Sequence, residues 1–311
     1  MSPSVQKAPG RAQGIALVLV AALLWSTGGL GVKLLHTAAL PTAGYRALFA
    51  FFAMGIVLVG SLGGARAHPP TSPLKQVALS LRRPLVWAAA VSYAVMVVCF
   101  VVSAKMTTAA NAIFLQYTAP LYVALLSYPV LKERLARIDA LTLGMAAVGM
   151  TLFFVGKLEA KGLWGNAIAI ASAFGFAGLP VCLRRAELDA GPGAEDASTR
   201  ATVAIVLGNL LATLACGPMM VVSDAPSPTD WAVLAALGVF QIALPYLLYA
   251  RAVRVLPALE SSLLATIEPI LSPIWVFWAT RERPTSWAIV GASFIVGSVV
   301  LRAVLSARQT A

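Results

Sequence analysis

Glu268 is the side chain of this sequence whose surroundings restrict its chemistry most. It lies directly before Pro269 in the apolar run LATIEPILSPIWVFW, residues 264–278. A carboxyl group among apolar residues is expected to be protonated unless a cation or a donor stabilises its charge, so Glu268 could bind and release a proton. The alternative is a neutral acid that is hydrogen-bonded to a neighbouring helix. Glu260, near the start of the same predicted helix, could share this role or simply contact water.

A second apolar run, AANAIFLQYTAPLYV at residues 109–123, carries neutral polar groups. Asn111, Gln116 and Tyr117 could bind a polar ligand, or they could hydrogen-bond to neighbouring helices. On a helix Asn111 and Gln116 lie about 140° apart, so only one of them can point squarely at a central ligand.

Aromatic and amide side chains in other apolar runs extend this candidate site. Trp25 and Ser26 lie deep in the first run, and Gly29 follows Trp25 at helical spacing, which leaves room beside the ring. Such rings could form the wall of a site for an amphiphilic or aromatic molecule, or they could only pack between helices. The candidate substrate-binding residues are Trp25, Ser26, Tyr93, Asn111, Gln116, Tyr117, Phe176, Gln241, Tyr246 and Trp275.

Prolines inside the apolar runs are predicted to break helices and to release backbone carbonyls. Proline has no N–H for the carbonyl four residues earlier, and its ring crowds that carbonyl. In lipid an unpaired carbonyl is costly, so the cheapest arrangement places it beside a water-filled interior. The alternative is a kink whose carbonyl is bound by a neighbouring side chain. The predicted helix breaks are Pro120, Pro180, Pro245 and Pro269.

Charged residues near the ends of the runs are candidates for coupling or gating. Arg46 lies near a predicted external turn, where it could attract a carboxylate or control an outer mouth. Glu-Arg pairs follow two of the runs, and each Glu lies at the negative end of a helix, so we expect it to bridge to a neighbouring element. The alternative is an exposed ion pair worth less than about 1 kcal/mol. The candidate coupling and gating residues are Glu268, Glu260, Arg46, Glu133, Arg134, Glu282 and Arg283.

The composition shows what must position these residues. Of the 311 residues 59% are hydrophobic and 11% are charged, too few charges to cover a water-soluble protein of this length. The apolar residues fall in blocks of about 20, the length that crosses a bilayer. The sequence therefore predicts an all-α integral membrane protein, whose first block is a retained helix rather than a cleaved signal. The ten predicted spans are 13–35, 38–62, 84–104, 107–130, 137–156, 162–184, 199–222, 229–253, 258–279 and 285–305.

The basic residues between the spans predict the orientation of the chain. Sixteen of the 23 Lys and Arg residues fall on one side of the predicted bilayer and seven on the other. The richer side is expected to be cytoplasmic, which places both termini in the cytoplasm and requires an even number of spans. The net charge of +11 has this origin, since the basic residues form no patch with interleaved aromatic rings, and no nucleic-acid partner is expected.

The sequence contains an internal repeat. Shifted by 149 positions, the segment LQYTAPLYVALLSYPVLKERL at residues 115–135 matches LATIEPILSPIWVFWATRERP at 264–284, with Pro120 on Pro269 and Glu133 on Glu282. The first span resembles the sixth at a similar shift. We therefore predict two five-helix units, residues 1–156 and 157–311. Because five is odd, the second unit must be inverted in the membrane around a central cavity.

These residues resemble the drug/metabolite transporter superfamily, specifically the EamA-type ten-helix exporters. The resemblance rests on LLWSTGGLGVKLL, on AANAIFLQYTAPLYVALLSYPVLKERL and on its proline-containing twin, and it covers both halves. It implies helices 1–4 and 6–9 around the cavity and helices 5 and 10 at the periphery. Members of this group move amino acids, other small metabolites or drugs, many of them outward. The expected function is export of amino acids or similar amphiphilic metabolites across a bacterial inner membrane.

Other functions fit the sequence less well. No nucleotide-binding motif, metal-ligand set or cofactor motif is present, so we expect no cofactor, no metal and no enzymatic activity. A multidrug or nucleotide-sugar carrier remains an alternative, although few Lys or Arg residues lie in mid-span to bind phosphate. The expected partners are a small-molecule substrate and the lipid bilayer. Small residues on spans 5 and 10, Ala140, Gly144, Ser293 and Gly297, could pack a homodimer or only neighbouring helices, which leaves the oligomeric state open.

Overall fold

Helices and short turns make up the described part of the chain. The computed structural model describes residues 10–33, 35–63, 73–107, 109–155, 162–189, 197–271 and 285–309. The α-helices are α1 (Arg11–Trp25), α2 (Gly28–Lys33), α3 (Ala39–Gly63), α4 (Pro73–Leu81), α5 (Pro84–Met106), α6 (Ala109–Gln116), α7 (Ala119–Leu126), α8 (Arg137–Phe153), α9 (Leu163–Leu188), α10 (Ala197–Val222), α11 (Pro228–Ala236), α12 (Leu244–Ala252), α13 (Ala258–Ala265) and α14 (Ser286–Gln309). Two π-helical turns, Ser127–Leu131 and Leu237–Ala243, continue α7 and join α11 to α12.

Each of the ten predicted spans contains helix within the described ranges. Among the described residues, six helical segments are long and apolar enough to cross a bilayer: Ala39–Gly60, Pro84–Met106, Asn111–Leu131, Leu163–Leu188, Thr199–Val222 and Pro228–Ala252. Arg11–Ser26 and Ser286–Arg302 are shorter apolar helices. The structure thus supports an all-helical membrane protein, and the count of ten crossings stays a prediction.

Helix α4 lies between the second and third predicted spans. In PLKQVALSL the polar side chains of Gln76 and Ser80 are buried, while Leu74 and Leu81 are exposed. The helix packs against α10 and α5, and the Trp87 Nε1–H at the start of α5 donates to the Leu81 carbonyl at 2.8 Å. This pattern is that of a short helix at the edge of the bundle, whose exposed leucines can contact lipid.

The helix contacts of one half are related to those of the other half as a twofold axis requires. Contacts of α1 with α12 have their counterpart in contacts of α9 with α5, which are the equivalent helices of the other half. Likewise α13 packs on α1 as α6 and α7 pack on α9. Two further pairs, α3 with α10 and α8 with α14, join equivalent helices to each other. With five crossings in each half, such an axis would lie in the plane of the membrane.

Glycines set the close packing of α8 against α14. A Cβ added at Gly149 would lie 2.8 Å from the Gly291 carbonyl oxygen, and one added at Gly291 would lie 2.5 Å from the Gly149 carbonyl oxygen. The helix backbones therefore touch here, as small residues allow in membrane bundles. By contrast, nothing lies within 4 Å of a Cβ at Gly144, which is on the exposed face of α8.

We expect Gly291→Leu to destabilise the protein by at least about 1–3 kcal/mol, because the added side chain has to separate two backbones. The unfolding temperature of the purified protein in detergent measures the effect. Gly144→Leu is the matched control and should leave that temperature unchanged. Equal unfolding temperatures for the two variants would contradict this packing.

Candidate functional site

A crevice opens between the two halves near the middle of the helices. One part has about 470 Å³ of unfilled volume, and an adjoining part has about 370 Å³, counting the space that is open to solvent. Five residues line both parts and so make the two parts one site: Trp25 of α1, Arg46 of α3, Phe100 of α5, Gln241 of the second π-helical turn, and Glu268. We call this site the central crevice. Its other polar and aromatic lining residues include Ser26, Gln116, Tyr117, Phe176 and Tyr246.

Two broken helices meet at the central crevice. Helix α6 ends at Gln116 and α7 begins at Ala119, just before Pro120; in the second half α13 ends at Ala265 and residues 268–271 are helical again, around Pro269. These breaks are equivalent under the 149-residue shift. The Tyr117 hydroxyl at the first break donates to Glu268 Oε2 at the second. The repeat therefore brings together one polar side chain from each half, and these two side chains form a hydrogen bond.

Threonine hydroxyls satisfy backbone carbonyls at both breaks. Thr118 Oγ1 donates to the Leu115 carbonyl at 2.6 Å, and Thr266 Oγ1 donates to the Leu263 carbonyl at 2.6 Å. The backbone N–H groups of the same two threonines also donate to these carbonyls, at 3.2 Å and 3.1 Å, so each hydroxyl adds a second hydrogen bond to the same carbonyl. Side chains at the two breaks therefore supply part of the hydrogen bonding there.

A third break was not predicted. The first span is interrupted at Ser26 and Thr27, whose hydroxyls donate to the carbonyls of Leu23 and Leu24 at 2.6 Å and 2.7 Å. The signal in the sequence is WSTGG, in which two hydroxyl residues precede two glycines. Gly28 leaves room for the Gln241 side chain, because a Cβ at this position would lie 2.5 Å from Gln241 Nε2.

The structure corrects two of the four predicted breaks. Pro180 lies inside α9, which runs without interruption from Leu163 to Leu188. The reason is the tight packing of α9 on α5, where a Cβ at Gly175 would lie 2.6 Å from the Ser92 carbonyl oxygen. Pro245 follows a π-helical turn, in which the Leu244 N–H bonds to the Val239 carbonyl, so the helix widens before the proline and does not end. A wider turn accommodates the missing N–H without a break.

Arg46 is a buried cation with unused donors. Its side chain is 5% exposed, and its Nη2–H donates to Gln241 Oε1 at 2.6 Å. Within the part of the chain that the structure describes, neither Nε nor Nη1 has a hydrogen-bond partner, and the Nε1–H of Trp25 has none either. A buried donor without a partner costs about 1–3 kcal/mol, and more when the group is charged. This wall of the crevice therefore presents donors that a ligand could satisfy.

Aromatic rings form a layer below the crevice. The Tyr246 ring lies 4.8 Å from that of Trp25 and 4.8 Å from that of Tyr93, measured between ring centroids. Tyr93 is fully buried behind this layer, and its hydroxyl donates to Asn209 Oδ1 at 3.3 Å, so it supports the wall and does not line it. Phe176 does line the crevice, with its ring at 5.9 Å from that of Tyr117.

The two amides of α6 point in different directions, as their spacing requires. Gln116 lines the crevice, and its Nε2–H donates to Ser172 Oγ at 2.9 Å. Asn111 is near the start of α6, where its Nδ2–H groups bond to Thr107 Oγ1 and to Asn166 Oδ1, both at 3.1 Å. It lines neither part of the crevice, so the structure gives Asn111 a role in holding α6 to α9. Three other candidates, Trp275, Glu282 and Arg283, lie outside the described residues.

One end of the bundle is closed by packing and by an ion pair. Arg11 Nη2, at the start of α1, lies 2.5 Å from Oε1 of the buried Glu260 in α13. One turn further on, a Cβ at Gly14 would lie 2.7 Å from Val255 Cγ2. We call this the Arg11 end. Trp25, at the opposite end of α1 from Arg11, and residues of α2 line the crevice, so the crevice lies farther into the bundle than the Arg11 end.

Other predicted gating residues lie at helix ends. Glu133 Oε1 lies 3.2 Å from Arg184 Nε, so this carboxylate bridges the end of the fourth span to α9, and both side chains are partly exposed. Arg134 is exposed. An exposed pair of this kind contributes little to stability by itself.

Comparison with known proteins identifies the family. The model of the EamA-like transporter family matches residues 12–155 and again residues 163–303. No curated protein sequence matches the chain. The fold is similar to that of a solved chain described only as the crystal structure of a protein, with a TM-score of 0.75, 17% sequence identity, and coverage of 95% of this chain and 99% of that one. Because the family match spans nearly the whole length, the chain belongs to the EamA-like transporter family, and it is an integral membrane transporter of the drug/metabolite transporter superfamily.

Proposed function

We propose that the protein is a secondary transporter that exports small amphiphilic metabolites, in the first place aromatic or small neutral amino acids, by alternating access. The observation that carries the proposal is the central crevice, where two helices broken at equivalent positions meet through Tyr117 and Glu268. Transporters built from inverted repeats bind their substrates at such breaks, between the halves and near the membrane midplane.

The lining of the crevice favours an amphiphilic substrate. Trp25, Phe176 and Tyr246 offer aromatic faces, and Arg46 and Glu268 offer opposite formal charges. A zwitterion with an apolar side chain can use both kinds of surface. A molecule with several phosphates would meet Glu268 and only one arginine among these lining residues, so nucleotide sugars suit the crevice less well.

Closure of the Arg11 end supports the mechanism. Here α1 packs on α12 and α13, and the Arg11–Glu260 ion pair joins α1 to α13. If the Arg11 end is cytoplasmic, as the distribution of Lys and Arg predicts, the crevice is closed toward the cytoplasm. Transport then requires these helices to separate at the Arg11 end and to close at the other.

Counterflow into proteoliposomes tests the function. Vesicles loaded with each of the twenty amino acids in turn should take up the same labelled amino acid, and we expect exchange at least about tenfold above protein-free vesicles for one or a few of them. Gly28→Leu should remove most of this exchange, because its side chain enters the space of Gln241. Gly144→Leu is the matched control on an open surface.

If no amino acid is exchanged and lipophilic drugs are exchanged in the same vesicles, the multidrug alternative replaces the proposed substrate class. Exchange that is equal in Gly28→Leu and in wild type would show that the substrate passes elsewhere.

A further inference from the structure

We propose that Arg46 and Trp25 form a carboxylate site in the central crevice, so that the transported molecules carry a free carboxylate group. The inference rests on the proposed function in one respect, namely that the central crevice is where substrate binds. It adds the chemical group that is recognised and the atoms that recognise it.

The first step is the inventory of hydrogen-bond groups on this wall. An arginine side chain offers five N–H donors and no acceptor, and a tryptophan offers one donor and no acceptor. Arg46 uses Nη2 to donate to Gln241 Oε1 at 2.6 Å, and its Nε and Nη1 have no partner among the described residues. The Nε1–H of Trp25 has no partner in this part of the chain either. Each unused group is therefore a donor, and only an acceptor can satisfy it.

The second step is the charge. Among the described residues no carboxylate oxygen lies within 4 Å of the Arg46 guanidinium, although the side chain is 95% buried. A buried cation is normally compensated by an anion. Arg46 and Trp25 both line both parts of the crevice, so an anion that enters there reaches both side chains.

The third step distinguishes a carboxylate from other anions. A carboxylate has two oxygens in one plane, which suits the planar array of N–H groups on a guanidinium. Arg46 is the only Lys or Arg among the described lining residues, and Glu268 is on the same crevice, so a doubly charged phosphate would be under-compensated. Glu268 and the Tyr117 hydroxyl are instead placed to accept an ammonium group. An amino acid presents both groups on one carbon.

Gln241 holds Arg46 in place. Its Oε1 accepts from Arg46, while its Nε2 lies 3.5 Å from the Trp25 carbonyl oxygen and against Gly28. The amide is therefore fixed between α1 and the guanidinium. We assign Gln241 as a positioning residue, which orients Arg46 without neutralising its charge.

Direct binding to the purified full-length protein in detergent tests the site. The ligands are the twenty L-amino acids, the corresponding amino acid amides, and phenylacetate and propionate as carboxylates without an ammonium group. Isothermal titration calorimetry should show at least one amino acid bound about tenfold or more tightly than its amide. In Arg46→Gln this preference should disappear, with a loss of about 30-fold or more for the acid and little change for the amide. Arg46→Lys should recover part of the preference.

Trp25→Phe provides a second and milder test. It keeps an aromatic ring but removes the indole N–H together with the five-membered ring, so we expect the loss to be about 3–10-fold larger for the carboxylate ligands than for the amides. If Arg46→Gln does not give a folded protein, this variant decides the question. Equal losses for acids and amides, or an unchanged preference in both variants, would overturn the site.

The failure of this inference is distinguishable from failure of the proposed function. If phenylacetate or propionate binds in an Arg46-dependent way and no amino acid undergoes counterflow, the carboxylate site stands and the amino acid exporter does not. If amino acids undergo counterflow in the wild type and Arg46→Gln keeps the full preference for acids over amides, the exporter stands and the carboxylate site is overturned.

Discussion

Glu268→Gln is expected to abolish the accumulation of substrate that a pH gradient drives, while substrate exchange without a gradient continues. The carboxyl group accepts a hydrogen bond from the Tyr117 hydroxyl, and it lines the same crevice as Arg46. Glutamine keeps the size of the side chain and an oxygen acceptor for Tyr117. It cannot release a proton, so the link between proton movement and substrate movement is lost.

The measurement compares proteoliposomes with and without an imposed gradient of one pH unit. If one proton moves for each substrate molecule, this gradient supports about tenfold accumulation, the ratio that corresponds to 1.4 kcal/mol. The wild type should approach this ratio, and Glu268→Gln should stay near equal concentrations on the two sides. Tyr117→Phe is the matched control, because it removes the hydrogen bond and leaves the titratable group. A Glu268→Gln variant that accumulates substrate like the wild type would exclude Glu268 as the coupling site.

The elements of the fold were largely predictable because each depends on local composition. Blocks of about 20 apolar residues gave the helical segments, and the 149-residue shift related Pro120 to Pro269, where the structure interrupts both helices. The same reasoning was wrong for Pro180, in α9, and for Pro245, after a π-helical turn. A proline in a sequence indicates only that one N–H is missing. Packing of the surrounding helices decides whether the chain breaks, widens or continues.

The residues of the candidate site were found more readily than their partners. Glu268, Gln116 and Trp25 were recognisable as polar or aromatic groups in apolar runs, and the structure places them on one crevice. Arg46 was recognised as a charge near a predicted external turn that could attract a carboxylate or control an outer mouth, but its place in the crevice was not. Its contact with Gln241 joins residues 195 positions apart, which the local pattern does not encode.

Ion pairs between distant helices were the least predictable feature. Arg11 and Glu260 are separated by 249 positions, and their contact depends on how the start of α1 packs against α13. From the sequence, Arg11 was one basic residue of a flanking segment and Glu260 was one acid near a helix start. Only the twofold arrangement of the halves brings these two helix ends together.

The central claim is that the Arg11 end must open and close for transport, and a reversible cross-link tests it most directly. The variant carries Gly14→Cys and Val255→Cys in a background where Cys99, Cys182 and Cys216 are replaced by alanine. A Cβ at position 14 would lie 2.7 Å from Val255 Cγ2, a methyl group that cysteine removes. The two new Cβ atoms are therefore close to the separation of about 3.5–4.5 Å that a disulfide requires.

Exchange of labelled substrate in proteoliposomes is the measurement, made after oxidation and again after reduction. We predict that oxidation lowers exchange by at least about tenfold, because the disulfide holds α1 against α12 and α13, and that reduction restores it. Each single-cysteine variant, treated in the same way, should exchange substrate at the same rate before and after oxidation. A fully cross-linked protein that exchanges substrate as fast as its reduced form would contradict alternating access through the Arg11 end.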